Sequence, residues 1–337
     1  MKILALKLRR LGDAALWTAA LEALKQLKPS ILGIAYPKSY DALFEGDPRF
    51  DRKYPMSELS VGTPEILDRI RKEKYDAVLN FHASQSSARL CKSTGIPTQL
   101  IHFHDRRTPG KVNSMIPHQG IPMSAIERDL NVVRAIGWSD TSPPPKLNIA
   151  DSFRTEGAAV LREAGVDLSK PLLALSVEAS RLAKRWPLEN YLSLVHQLKS
   201  LINVVVLGEA TNPLNPFKTE FANRTHFIST PRLSTLMGCL SFARCYVGSD
   251  SGVKHVAAAL SIPTVTLFGP ESAGEWHGYT LENHRYLQVS VACRNRDPVP
   301  AEFSWCGESI CPLGSHACMT LISPKQVLQE VQQLLLR

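Results

Sequence analysis

The run from Cys245 to Tyr279, CYVGSDSGVKHVAAALSIPTVTLFGPESAGEWHGY, constrains the fold of this chain more than any other stretch. It reads as a strand, a tight turn, a helix, a second strand and a loop. Ser249, Asp250, Ser251 and Gly252 cluster where the first strand gives way to the helix. In an open α/β sheet that point lies at the carboxyl end of the strands, where first-turn N–H groups of the helix face the same crevice. The pattern predicts a parallel sheet with an anion-binding corner.

The residue types sharpen the expectation. Asp250 can accept from hydroxyls, Ser251 can cap the helix, and Gly252 lets a phosphate approach the backbone without a Cβ in the way. His255, three residues after Gly252, is expected on the same helix face one turn on. Ala257, Ala258 and Ala259 permit close packing on the sheet. The strand Thr264 to Phe268 is apolar and β-branched, and it breaks at Gly269-Pro270.

The chain has 337 residues, more than one ordinary domain, and 44% hydrophobic residues, enough for two cores. The segment Gly137 to Asn148, GWSDTSPPPKLN, is the expected connector, because three successive prolines suit neither a helix nor a central strand. Domains over 1–148 and 149–337 follow. In the first half, strands are predicted at Ile3 to Leu8, Ile31 to Ala35, Ala77 to Leu79 and Thr98 to Ile101, alternating with helices such as Ala14 to Leu27 and Pro64 to Glu73. In the second, strands at Leu172 to Ser176, Asn203 to Leu207, Arg244 to Val247 and Thr264 to Phe268 alternate with helices around Leu188 to Leu201, Arg232 to Phe242 and Val253 to Leu260. A closing helix over 324–336 is a candidate to pack back on the N-terminal domain. Two parallel-sheet, Rossmann-like α/β domains facing a cleft are the expected architecture.

Charge is unevenly spread. Residues 1–150 hold 22 Lys and Arg against 15 Asp and Glu, and residues 151–337 hold 17 against 16, which recovers the net charge of +8. Solvated surface charge explains such an excess as well as an anionic partner does. Arg49, Arg52, Lys53, Arg89, Lys92, Arg106, Arg107 and Lys111 fall in predicted loops or beside turns, natural places to hold phosphate or carboxylate groups. No basic helix, aromatic platform or nucleic-acid motif accompanies them, so nucleic acid is not an expected partner. No stretch reaches the ~18 apolar residues of a membrane span, and the first residues enter a strand directly. A cytoplasmic protein is expected.

The D-S-G-x-x-H-x-A-A-A-L run at Asp250 to Leu260, followed by Pro263 to Pro270, resembles the ADP-heptose heptosyltransferases of lipopolysaccharide core synthesis, glycosyltransferase family 9. The resemblance continues along the chain. KILALKLRRLGDAALWTAALEAL resembles that family's opening strand, G-D turn and helix, and KYDAVLNFHASQSSARL its next strand and turn. Lys184, Trp186 and Pro187 match a K-x-W-P in its phosphate-contacting loop, Gly208-Glu209 a G-x-E-type turn, and CPLGSHACM a cysteine-containing segment. The resemblance implies a GT-B fold and an inverting glycosyl transfer from ADP-heptose to the lipopolysaccharide inner core, at Kdo-lipid A or heptosyl-Kdo-lipid A. It places the acceptor in the first domain and the nucleotide sugar in the second, with a monomeric enzyme peripheral to the cytoplasmic face of the inner membrane.

Taken alone, Asp13 is a first-turn acid that favours the helix dipole. The resemblance makes it the catalytic base, which takes the proton of the acceptor hydroxyl. The leaving diphosphate needs its charge met either by a metal on a D-x-D-type pair or by protein cations and helix N–H groups. No D-x-D occurs in this chain, so Lys184 with the Ser251-Gly252 helix start is the expected clamp, without a metal or other cofactor. Glu209 and Asp250 are expected to meet ribose or heptose hydroxyls. Where the family carries small polar residues before G-D, this chain has Arg9, Arg10 and Leu11, so Arg9 and Arg10, with Arg89, Arg106 and Arg107, are candidate acceptor contacts.

Seven cysteines remain. Cys91, Cys239 and Cys245 read as buried small hydrophobes. Cys293, Cys306, Cys311 and Cys318 have unequal gaps and no C-x-x-C pair, which favours free thiols over structural zinc. Two rival readings stand beside the main one: a same-fold glycosyltransferase acting on a protein or another glycan, and a non-catalytic nucleotide-binding scaffold. Asp13, Lys184, Asp250 and His255 together weigh against the scaffold. A nucleotide-sugar epimerase of similar architecture fits fewer of the motifs.

Overall fold

The computed structural model of the chain describes residues 1–57, 62–82, 84–102, 114–116, 122–198, 202–208, 225–294 and 301–335. They form two compact units, Met1–Asn148 and Ile149–Arg337. The first holds strands β1 (Lys2–Leu6), β2 (Ile31–Pro37), β3 (Arg52–Met56), β4 (Ala77–Asn80), β5 (Thr98–His102) and β6 (Ser114–Ile116). They make one parallel sheet in the order β3-β2-β1-β4-β5-β6. The second unit holds β7 (Leu172–Ser176), β8 (Asn203–Gly208), β9 (Thr225–Ser229), β10 (Cys245–Ser249), β11 (Thr264–Phe268) and β12 (His284–Gln288). Their order is β12-β11-β10-β7-β8-β9, again all parallel.

Both sheets therefore run in the doubly wound order, in which the chain leaves the first strand toward one edge and returns across it to build the other. The crevice where the winding reverses lies between β1 and β4 in one unit and between β7 and β10 in the other, and ligands bind at such a switch point. The central strands are buried on both faces: β7, β10 and β11 have no exposed residue. Continuous apolar runs are what a covered parallel sheet demands.

Helices are placed by small residues and caps. The Asp151–Glu163 and Leu233–Leu240 helices touch backbone to backbone, since a Cβ built on Gly157 would stand 2.1 Å from the carbonyl carbon of Gly238. Only glycine fits there. The closing helix, Pro324–Leu335, buries Val327, Val331 and Leu334 in the core of the C-terminal unit beside Leu194, Val247 and Leu267. The proline segment is irregular and fastened to the N-terminal unit: the Lys146 N–H donates to Thr18 Oγ1 at 2.9 Å, and the Lys146 carbonyl accepts from Arg49 at 2.8 Å. Among the described residues no helix is long and apolar enough to cross a membrane.

Candidate functional site

In the C-terminal unit the predicted donor residues converge at the switch point. After β7 the chain makes a short turn, Leu182–Lys184, fixed by the Ala183 N–H donating to the Ser309 carbonyl at 2.9 Å. Trp186 then sinks into the core, 2% exposed, with its indole N–H on the Ile322 carbonyl at 2.9 Å, and Pro187 caps the Leu188–Gln197 helix. The K-x-W-P spacing thus has a mechanical meaning: the buried tryptophan anchors the loop, and Lys184, two residues earlier, is left at its rim. Lys184 Nζ donates to Asp250 Oδ2 at 2.8 Å.

Asp250 leaves the end of β10, and two further groups of the next helix, Gly252–Ala259, hold it. Lys254 Nζ stands 3.0 Å from Asp250 Oδ1, and His255 Nε2 3.7 Å from the same oxygen. Lys254 has no solvent exposure; it donates to the Trp276 carbonyl at 2.8 Å and lies 4.3 Å from the centre of the Phe268 ring. Burial alone would raise the Asp250 carboxyl, but Lys254 and then Lys184 outweigh it and hold the group well below the usual carboxylate range. Burial pulls Lys254 down to about 8, against the attraction of Asp250. Two cations therefore share one buried carboxylate.

His255 does not project into solvent. It is buried, its Nδ1 shares a hydrogen bond with the Tyr279 hydroxyl, and burial followed by the Lys254 charge drives its pKa well below the ordinary value. A neutral imidazole therefore backs Asp250 with one ring nitrogen and meets the Tyr279 hydroxyl with the other. His277 and His284 beside it are likewise depressed by burial, to about 3 and about 4. Ser251 takes the N-cap position with extended backbone, but its hydroxyl makes no capping bond, so the first turn of the Gly252–Ala259 helix is not closed by its own side chain. That departs from the capping role read in the sequence. Glu271, which follows Gly269-Pro270 at the end of β11, pairs with Arg181 and stands 3.8 Å from Lys184. Glu209 lies outside the described residues.

In the N-terminal unit Asp13 sits in the first turn of the Leu11–Gln26 helix, which begins two residues before it, partly exposed, with Arg10 at the N-cap. Below it a buried ion pair joins Lys7, just past β1, to Asp129 of the Ala125–Arg134 helix. Burial raises the Asp129 carboxyl, Lys7 opposes this, and Asp13 adds a small upward push, so the base candidate lies within electrostatic reach of the pair. Arg9 bridges the switch point by donating to the His82 carbonyl at 3.0 and 3.1 Å. Arg9, Arg10 and Arg89 are exposed. Other basic residues read as loop candidates are used by the fold: Arg49 is buried against Asp47 and Glu22, Arg52 on β3 pairs with Glu73, and Lys53 donates to the Phe44 carbonyl. Arg106, Arg107 and Lys111 lie outside the described residues.

Cys91, Cys239 and Cys245 are buried free thiols. Cys293, Cys306, Cys311 and Cys318 line one cavity of about 430 Å³ together with Arg294 and His316. Burial pushes the Cys318 thiol up to about 11. Among the described residues no group of three or more His, Cys, Asp or Glu is placed to hold a metal ion.

Lys254, Arg181, Glu271 and the Lys7–Asp129 pair belong to no motif recognised in the sequence. Lys254 had a signal, since it follows Asp250 by four residues at a helix start. Lys7 and Asp129 had none, being 122 residues apart.

The chain is similar to several known proteins. The lipooligosaccharide heptosyltransferase 2 of Campylobacter jejuni subsp. jejuni serotype O:6 is 23% identical over 96% of each chain. The crystal structure of a family 9 glycosyl transferase from Veillonella parvula superposes with a TM-score of 0.83 at 19% identity, covering 99% of this chain and 97% of that one. The structure of E. coli ADP-heptose lps heptosyltransferase II gives 0.79 at 22% identity, covering 100% and 99%. The GT-B fold expected from the resemblance is thus the fold shared with these structures. The family model described as "Glycosyltransferase family 9 (heptosyltransferase)" matches residues 65–297, well over half of the chain, which therefore belongs to glycosyltransferase family 9.

Proposed function

We propose that this chain transfers heptose from ADP-heptose to a lipopolysaccharide inner-core acceptor, with inversion at the anomeric carbon and without a metal ion or other cofactor. The observation that carries the reading is the Lys184–Asp250–Lys254 cluster at the β7/β10 switch point, beside a helix start that its own serine leaves uncapped. It offers a diphosphate one rim cation, fixed by a buried tryptophan, and backbone N–H groups. The relatives support the choice of nucleotide sugar, since one carries ADP-heptose in its description and another is a lipooligosaccharide heptosyltransferase.

In this reading Asp13 takes the proton of the acceptor hydroxyl as that oxygen attacks the anomeric carbon, and ADP leaves from the opposite face with its growing charge met by Lys184 and the Gly252–Ala259 first turn. Glu209 and Asp250 serve the donor hydroxyls. Exposed Arg9, Arg10 and Arg89 draw the anionic acceptor, and with it a monomeric enzyme, to the cytoplasmic face of the inner membrane. Sedimentation and flotation with anionic vesicles read these last two points.

The test is ADP release from ADP-heptose in the presence of a panel of truncated lipopolysaccharides. Turnover with Kdo-lipid A or heptosyl-Kdo-lipid A supports the reading and fixes which heptose is added. Turnover only with a protein or another glycan would move the chain to a different acceptor class, and no turnover with tight ADP binding would make it a scaffold.

A further inference from the structure

We infer that Glu271 is a built-in counter-ion that holds Arg181 and Lys184 before the donor arrives and gives them up to the diphosphate, so that this carboxylate sets donor affinity. The inference rests on the proposed ADP-sugar donor.

The geometry is specific. Glu271 is carried to the carboxyl edge of the sheet by β11 and the Gly269-Pro270 break, and its backbone is pinned there: its carbonyl accepts from Arg294 at 2.9 Å, and the preceding Pro270 carbonyl accepts from the Cys306 N–H at 2.7 Å. Its side chain pairs with Arg181 and lies 3.8 Å from Lys184 Nζ, which is itself shared with Asp250. Arg181 is held from its other side by the Gly307 carbonyl at 2.8 Å.

The three charges are largely shielded from water: the side chains of Arg181, Lys184 and Glu271 are 25%, 13% and 14% exposed. In such a setting a carboxylate and a diphosphate compete for the same cations, and the field of Glu271 opposes the incoming anion. Asp250 cannot be the exchanged acid, because Lys254, with no exposure, stays on it whatever Lys184 does. Among the described residues the Glu271 carboxylate has no such second buried cation, Arg294 reaching only its backbone carbonyl. When Arg181 and Lys184 turn to the phosphates, its carboxylate is left to accept from a hydroxyl of the sugar or from water. The exchange keeps the empty site neutral enough to fold and lets ADP leave after transfer.

The experiment is calorimetric titration of the full-length protein and its Glu271→Gln and Glu271→Ala variants with ADP, AMP and adenosine. Removing the competing charge is expected to tighten ADP binding roughly 5- to 50-fold in both variants, AMP less, and adenosine not at all. Glu271→Ala excludes a new contact made by the glutamine amide. With ADP-heptose and acceptor, KM for the donor and kcat fall together, since ADP is released more slowly. Unchanged or weaker ADP binding in the variants, or equal tightening for adenosine, overturns the inference and leaves the donor assignment standing. A wild-type protein that does not bind ADP overturns both.

Discussion

The two units share one strand order and use it in opposite ways. At the β1/β4 switch point of the N-terminal unit the buried charges cancel in a closed pair, Lys7 with Asp129, while Asp13, Arg9 and Arg10 remain at the surface. At the β7/β10 switch point of the C-terminal unit the buried charges do not close: Asp250 is shared by Lys254, which is fully buried, and Lys184, which reaches the rim. A buried ion is tolerated only when its partner is fixed, so a pair completed inside is scaffolding, whereas a pair with one member at the edge can exchange that member's partner. Topology thus locates both corners, and in the proposed reaction the completeness of the buried pairing separates the corner that would grip an anion from the one that would present a base.

Replacing Asp13 should break this comparison most visibly. Asp13→Ala removes the proton acceptor and is expected to lower turnover roughly 10²- to 10⁴-fold, read by ADP release under saturating donor. A variant that keeps full turnover removes the N-terminal unit from the chemistry.

The next effect is on stability. Gly157→Ala puts a methyl against the Gly238 backbone at 2.1 Å, and overpacking of this kind costs about 1–3 kcal/mol. Chemical denaturation should show the loss, with ADP affinity of the remaining folded protein unchanged, since the contact lies away from Lys184 and Asp250.

Alkaline pH should separate the corners more gently. Lys254, pulled by burial to about 8, loses its proton as pH rises through that value, where an ordinary lysine near 10.4 keeps it. Asp250 then draws Lys184 inward, and ADP affinity is expected to fall several-fold between pH 7.5 and about 9, a limb that Lys254→Met should abolish. Unfolding cannot mimic it: in that window the unfolded chain binds more protons than the folded one at this lysine, so its contribution to stability rises with pH. A flat affinity profile would mean that Lys254 holds its charge and does not tune the site.

The smallest expected effect is that of chelation. With Lys184 and the helix start meeting the diphosphate, EDTA should leave turnover unchanged, and an activity loss restored by Mg²⁺ would show that the clamp is incomplete without a metal.

The central strands were legible because a covered parallel sheet requires continuous apolar residues: β7 and β11 span Leu172–Ser176 and Thr264–Phe268, the bounds read from the sequence. Edge and near-edge strands were not. β3 reads RKYPM, β9 THFIS and β12 HRYLQ; an edge strand is half solvated, so charge and even Pro55 are tolerated, and the period that marks a strand is lost. At the site, Asp250 and Lys184 stood out by motif, but the Tyr279 hydroxyl on His255 did not, since helical period fixes direction and not what packs there. Arg49 read as a loop charge, but Asp47 two residues away and Glu22 27 residues away hold it buried, while Arg52 is exposed on β3 and paired with Glu73, 21 residues on. Glu271 was hidden for the same reason: its partner Arg181 comes from another strand's loop, and only the sheet brings them together.

The most direct measurement is ADP titration of the wild type beside Asp13→Ala and Lys184→Ala. Asp13→Ala should bind ADP within about a factor of two of wild type, while Lys184→Ala should bind it roughly 10- to 100-fold more weakly, the loss of one partly buried cation from a diphosphate. Loss of ADP binding in Asp13→Ala with retention in Lys184→Ala would contradict the division of labour between the two units.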